Sequence, residues 1–160
     1  FLPVLMCYKD ENRQYVYCIH NNVPEGPPYP IRTVSDGRYR YIRNPRPDDL
    51  YIEKHLMGHR GGYGANDPYW AAWLATAWEK PNTLRLVQRY MRRPAEELYL
   101  TGEDPYEMTN LAASTEHAKV KAQLSTELDR WMKEQGDPGA SQDTQKAINA
   151  ARQGKHLYGP

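Results

Sequence analysis

The dipeptide Asp36-Gly37 lies between two short runs of β-forming residues, Ile31 to Ser35 and Arg38 to Arg43. That arrangement is the strongest short-range signal for a two-residue hairpin, because such turns need the positive φ angles that Gly and Asp tolerate. In the second run Tyr39 and Tyr41 share one face and Arg38 and Arg40 the other, the alternation of a sheet with one solvated side. The chain must therefore build an antiparallel sheet around this hairpin.

Further elements attach to it. Tyr15-Val16-Tyr17-Cys18-Ile19 predicts a strand, and Asn21 to Pro30 predicts a loop, since Pro24, Gly26, Pro27, Pro28 and Pro30 exclude any regular element. Asn44-Pro45-Arg46-Pro47 ends the hairpin, and the chain to Asp67 reads as irregular, with Gly58, Gly61, Gly62 and Gly64 close together. These glycines lack the strand before, the helix after and the Lys-Ser or Lys-Thr pair of a phosphate cradle. Pro68 can open a helix with Trp70, Trp73, Leu74 and Ala77 on one stripe, and Asn82 can cap a second carrying Leu84, Val87 and Met91. Glu96 to Leu100 returns to strand character, followed by a turn at Gly102 to Pro105. The last long helix is predicted after Ser114 as N-cap, with Val120, Leu124, Leu128 and Trp131 as its apolar stripe and Gly136 and Pro138 as its stop. The expected fold is α+β: a small antiparallel sheet of about four strands, packed by a long C-terminal helix, with two short helices inserted. Residues 1–139 read as one domain and 140–160, rich in Gln, Ala, Asn, Gly and Lys, as a weakly structured tail.

Composition narrows the function classes. A formal charge of +1 over 160 residues argues against a nucleic-acid surface, and no apolar run approaches the roughly 20 residues that span a bilayer. Cys7 and Cys18 are too few for a disulfide framework or a metal site and are expected as free thiols, the alternative being a pair across a short loop in an oxidising compartment. Thirteen tyrosines and four tryptophans against one phenylalanine favour rings with a polar handle, which suit a sugar-facing site or a wet interface equally. The apolar start Phe1-Leu2-Pro3-Val4-Leu5, without methionine, reads as a cut from something longer.

Three constellations imitate catalytic sites. His55 and His59 are four apart, but the intervening residues lack a metalloprotease glutamate and include Gly58, so surface or packing histidines are expected. Ser35, Asp36 and His20 could be assembled into a triad, yet Ser35 sits in a hairpin and not on a nucleophile elbow. Glu96 and Glu97 point to opposite faces of a strand, so they cannot serve one substrate atom as acid and base.

Two stretches carry more information. Tyr29-Pro30-Ile31-Arg32-Thr33-Val34, running into Arg38-Tyr39-Arg40-Tyr41-Ile42, resembles the strand pair that begins the C-terminal subdomain of many sulfatases. Arg93-Pro94-Ala95-Glu96-Glu97-Leu98-Tyr99 and Glu103-Asp104-Pro105-Tyr106-Glu107-Met108-Thr109-Asn110-Leu111-Ala112 resemble the strand, acidic turn and Asn-Leu-Ala segment before that family's final helix. Phe1 to Leu5 is similar to the stretch preceding that subdomain, and Trp131 with Asp137-Pro138 fits the sulfamidase (heparan N-sulfatase) branch; the resemblance covers about residues 1 to 139. Leu100 stands where the family often has an aspartate.

The resemblance implies a C-terminal portion of a sulfatase that hydrolyses sulfate esters or N-sulfates on sulfated sugars such as glycosaminoglycans. It implies a formylglycine nucleophile, matured from Cys or Ser followed by x-Pro-x-Arg, and calcium held by aspartates, both in an N-terminal catalytic domain that is this chain's partner. Neither Cys7-Tyr8-Lys9 nor Cys18-Ile19-His20 begins such a motif, so this chain is expected to be inactive alone, with no catalytic or metal-ligating residue of its own. A periplasmic, secreted or lysosomal location follows from the family only. Loops at strand ends carry specificity on a rigid base, and His20, Asn21 and Asn22 are the expected substrate-binding residues, an imidazole and two amides able to donate to sugar hydroxyls or a sulfate. Arg32, within a strand, is expected to have a structural partner. The alternative is a stand-alone carbohydrate-binding or protein-interaction module using its aromatic rings.

Overall fold

The computed structural model describes residues 6–8, 12–22, 27–53, 57, 68–141, 144, 146, 149, 150 and 153. Both histidines of the candidate metal pair, His55 and His59, and the glycines at 58, 61, 62 and 64 lie outside the described residues, as does most of the tail. The elements are β1 (Val16–His20), β2 (Ile31–Ser35), β3 (Tyr39–Arg43), α1 (Pro68–Ala77), α2 (Pro81–Met91), β4 (Glu96–Leu100) and α3 (Ala118–Gln135), with a 3-10 turn at Gly139–Ser141. The expected α+β class is what forms, with four antiparallel strands in the order β1-β2-β3-β4.

The chain divides into two compact units. One comprises residues 1–19, 32–43 and 96–136; the other comprises 20–31, 44–95 and 137–160.

In the first unit, β2 and β3 pair with Val34 opposite Tyr41, and β3 and β4 with Tyr41 opposite Leu98. Because strand side chains alternate, these three share a face, and Leu124 and Leu128 of α3 pack on it; all five are fully buried. The α3 stripe is the one that helical spacing predicts. Polar contacts fix helix to sheet around this core. The Arg43 guanidinium donates to Ser125 Oγ at 2.9 Å and pairs with Asp129, while Lys121 reaches Glu96 at 3.0 Å. Glu96 also accepts the Tyr41 hydroxyl at 2.6 Å, and these two donors, Tyr41 first, hold its carboxyl below the ordinary range. On the opposite face of β4, buried Glu97 accepts the Tyr99 hydroxyl, so the two adjacent glutamates do face apart. At the far side of the sheet, Tyr17 of β1 stacks on Trp131 with ring centroids 4.6 Å apart and planes 3° from parallel.

Three local expectations are corrected. Ser35 pairs with Arg40, which moves the hairpin loop one residue on, to Gly37-Arg38. Only Gly37 takes positive φ (90°), the pattern with glycine at the first central position. Asp36 contributes through its carboxylate, which accepts the N–H groups of Arg38 (2.9 Å) and Tyr39 (2.7 Å). Asn82 does not cap α2; Lys80 is the N-cap and Pro81, whose fixed φ suits the first helical turn, opens the helix. Ser114 does not cap α3, which begins at Ala118 after His117. The Ser114 hydroxyl instead lies 3.0 Å from His117 Nδ1, in a turned segment where Ser114 N–H bonds Leu111 O and His117 N–H bonds Ser114 O. The stop of α3 is as expected: Gly136 adopts the left-handed conformation (φ 65°) that suits glycine.

That turned segment has a second task. A strand at a sheet edge presents a row of main-chain donors and acceptors, and along the outer side of β4 these are met by residues 110–111. Asn110 Oδ1 accepts the Leu98 N–H (2.9 Å) and the Ala112 N–H (2.9 Å), its Nδ2 donates to Glu96 O (3.1 Å), and Leu111 N–H donates to Leu98 O (2.8 Å). The acidic turn delivers this asparagine: the Asp104 carboxylate accepts the N–H groups of Met108 (2.9 Å) and Thr109 (2.8 Å).

Candidate functional site

The three residues expected at a substrate sit in the second unit, at the end of β1. His20, the last residue of β1, is exposed; Asn21 is half-buried; Asn22 is buried and takes φ +58°, a conformation that asparagine tolerates better than most residues. The Asn22 amide nitrogen donates to Pro27 O (2.8 Å) and Ile52 O (2.9 Å), engaging both of its hydrogens. Asn21 O accepts the Tyr29 N–H at 3.1 Å. The two asparagines are thus tied to Pro27, Tyr29 and Ile52, and His20 is the member presented at the surface.

Behind His20 runs a series of rings. Its Nε2 is 3.3 Å from the Tyr51 hydroxyl and its ring meets Tyr51 edge-on at 5.8 Å. Tyr51 in turn contacts Tyr29 (5.2 Å) and Tyr90 (5.6 Å), Tyr90 contacts Trp70 (5.6 Å), and Trp70 contacts Trp73 (6.3 Å). Tyr51 is fixed to the end of α2 by its N–H bond to Met91 O at 2.9 Å. None of Tyr29, Tyr51 and Tyr90 stands out in the sequence as a site residue. The only signal was the preference for tyrosine over phenylalanine, which supplies bulk to a core and a hydroxyl to its margin.

Burial, reinforced by Tyr90 and Glu53, pushes the Tyr51 phenol up to about 12, and burial likewise raises Tyr90. A phenol whose folded pKa lies above its unfolded one adds stability that is complete below the ordinary value of 10 and is lost as pH rises through the folded value. Alkaline titration followed by phenolate absorbance should therefore show a class of tyrosines ionising later than the ordinary value of about 10, with Tyr51 centred at about 12. Tyr51→Phe should remove about one phenolate from that class; an unchanged late class would show that Tyr51 is not held back.

Other expected residues have structural surroundings. Arg32 is fully buried in β2, and the Ser35 hydroxyl is engaged in the hairpin turn, accepting Gly37 N–H (3.2 Å) and donating to Tyr39 O (2.9 Å). Cys7 and Cys18 are both free and exposed. In the first unit an open cavity of about 450 Å³ lies beside the hairpin and acidic turn, lined by Arg38, Tyr39, Asp104, Thr109, Glu116 and His117 among others. Among the described residues no three His, Cys, Asp or Glu side chains cluster so as to hold a metal, and no helix is long and apolar enough to cross a membrane.

No family model matches the chain. An ulvan-active sulfatase of Formosa agariphila is 31% identical over 143 residues, which are 86% of this chain and 24% of that enzyme. A second ulvan-active sulfatase of the same organism is 30% identical over 131 residues, 81% of this chain and 21% of the enzyme. The chain thus spans less than a quarter of the length of the curated relatives it matches. A solved structure from Bacteroides thetaiotaomicron VPI-5482 superposes with a TM-score of 0.42 and 20% identity over 81% of this chain and 18% of its own, a likeness too slight to bear weight. By these matches, the chain is similar to one portion of a sulfatase, less than a quarter of each enzyme.

Proposed function

We propose that the chain completes the fold of a sulfatase that removes sulfate from a carbohydrate, forms one wall of its substrate pocket, and has no hydrolytic activity alone. The supporting observation is the 31% identity over 86% of this chain to an enzyme of which it spans 24%. Both relatives are named for activity on ulvan. On that ground an ulvan-type substrate takes precedence over the N-sulfated glucosamine that the sulfamidase resemblance implies.

In this reading the formylglycine nucleophile and calcium belong to the remaining, catalytic portion, which is the chain's partner. His20 is the substrate-facing donor, with Asn21 and Asn22 beside it holding the loop in the shape that presents it. The test compares the 160-residue chain with the full-length sulfatase, assaying sulfate release from ulvan, N-sulfoglucosamine and an aryl sulfate. Release is expected from the full-length protein only, and turnover by the chain alone would overturn the proposal. In the full-length protein His20→Ala should raise KM on ulvan by about tenfold, the worth of one good polar contact, with kcat less affected.

A stand-alone module keeps one observation in its favour. Residues on both faces of the sheet are buried within this chain, Val34, Tyr41 and Leu98 on one and Ile42, Glu97 and Tyr99 on the other. Tight binding of ulvan oligosaccharides by the chain alone would support that reading.

A further inference from the structure

Helix α1 is built differently from its neighbour. Helix α2 is amphipathic: it buries Val87 and carries Arg85 and Arg89. Across Pro68–Ala77, α1 has no charged residue at all. It buries Trp70 and Ala77 against Val87, Tyr90 and Met91, yet Tyr69, Ala71, Ala72, Trp73, Leu74 and Ala75 are all exposed. Trp78, just past its end, is 95% exposed, and Leu84 of α2 adds another uncovered apolar side chain. Single exposed apolar residues are ordinary, but a contiguous set on a helix that is apolar all round is the composition of a helix covered on two sides. Helix α2 covers one of them.

We infer that the outer side of α1, with Trp73, Leu74 and Trp78 at its centre, is the surface on which this chain docks against the catalytic portion of its own sulfatase. The inference rests on the reading above that the chain is part of a larger sulfatase. Two observations choose the occupant. More than three-quarters of each matched relative lies outside the region this chain spans, so the parent enzyme supplies a large body of protein to be covered. Along α1 itself, hydrogen-bonding side chains for a sugar are sparse. Saccharide platforms pair a ring with hydrogen-bonding side chains, whereas here the intervening positions are three alanines and a leucine, and the Thr76 hydroxyl is spent on Ala72 O at 2.7 Å. Aromatic and aliphatic anchors with charge depleted at the centre describe a protein interface.

The test measures binding of the separately produced catalytic portion of the same sulfatase to the intact 160-residue chain by calorimetry, with circular dichroism confirming each variant's fold. Trp73→Glu with Leu74→Glu should weaken binding by more than about tenfold, and Trp78→Ser, a change at a nearly bare side chain, should weaken it severalfold without touching the fold. If the wild-type chain binds and both variants bind equally well, the docking surface is wrong while the proposed function stands. If the wild-type chain does not bind, the proposed function fails and this inference with it. Self-association of the chain abolished by the same substitutions, or quenching of Trp78 by ulvan oligosaccharides, would assign the surface to another occupant and overturn it.

Discussion

Leu128→Ala is expected to lower the unfolding free energy of the chain by about 3 kcal/mol, the middle of the range for leucine truncation at a fully packed site. Leu128 is fully buried in the cluster it forms with Leu124, Val34, Tyr41 and Leu98. Sheet residues on one side and the helix backbone on the other leave the cavity little room to collapse. In a chain of this size the loss corresponds to a fall in Tm of about 6–12 °C. Urea unfolding followed by circular dichroism should show an earlier midpoint with an unchanged slope. Leu128→Met, which keeps volume, should cost less than about 1.5 kcal/mol. A loss below about 1 kcal/mol for the alanine variant would mean that α3 does not seal the sheet as described.

Asn110→Ala should cost about 2 kcal/mol although its side chain lies at the surface. One amide makes three hydrogen bonds there, and truncation leaves Leu98 N–H and Glu96 O without those partners along the margin of β4. Asn110→Asp is the informative companion. It keeps the acceptor for Leu98 and Ala112, loses the donor to Glu96 O, and should fall between wild type and alanine. Because the change opens a strand edge, concentration-dependent association should accompany the lost stability in light scattering. An alanine variant as stable and monomeric as wild type would show the bonds at Asn110 to be incidental.

Where local chemistry and tertiary packing agreed, the sequence was readable. The stripe Val120, Leu124, Leu128 and Trp131 and the alternation of Tyr39 and Tyr41 located the helix and the sheet face it covers. The solvated opposite face expected from Arg38 and Arg40 is not what forms: Ile42, Glu97 and Tyr99 are buried there. Boundaries failed where a non-local partner decided them. Ser114 has the right side chain for a cap, but the main chain on either side of it is held by Leu111 and His117, and the helix waits until Ala118. At the hairpin, Asp36 acts through its carboxylate and not through a positive φ, and the loop lies one residue further on.

The site was legible only in part. A histidine at a strand end followed by two amides marked the loop, but not that Asn22 would be buried with both amide hydrogens engaged. Nor could sequence show that Tyr51, 31 positions from His20, would stand against its imidazole. Contacts of that separation leave no periodic trace. The family resemblance pointed to Asn-Leu-Ala without a reason; the reason is that the asparagine acts as a substitute neighbour for β4.

The alternation of the two compact units along the chain bears on how such a molecule is made and inherited. Each unit is assembled from three separate stretches, so neither can be cut out as a continuous fragment or exchanged by a single crossover. β3 and β4 pair across the whole of residues 44–95, a non-local pairing of the kind that raises contact order. Loop closure grows only logarithmically with length, each doubling costing about 0.6 kcal/mol. The sheet is therefore nearly indifferent to how long that excursion is, and the unit bearing His20, Tyr51 and α1 can lengthen or shorten between lineages while the register of the strands stays fixed.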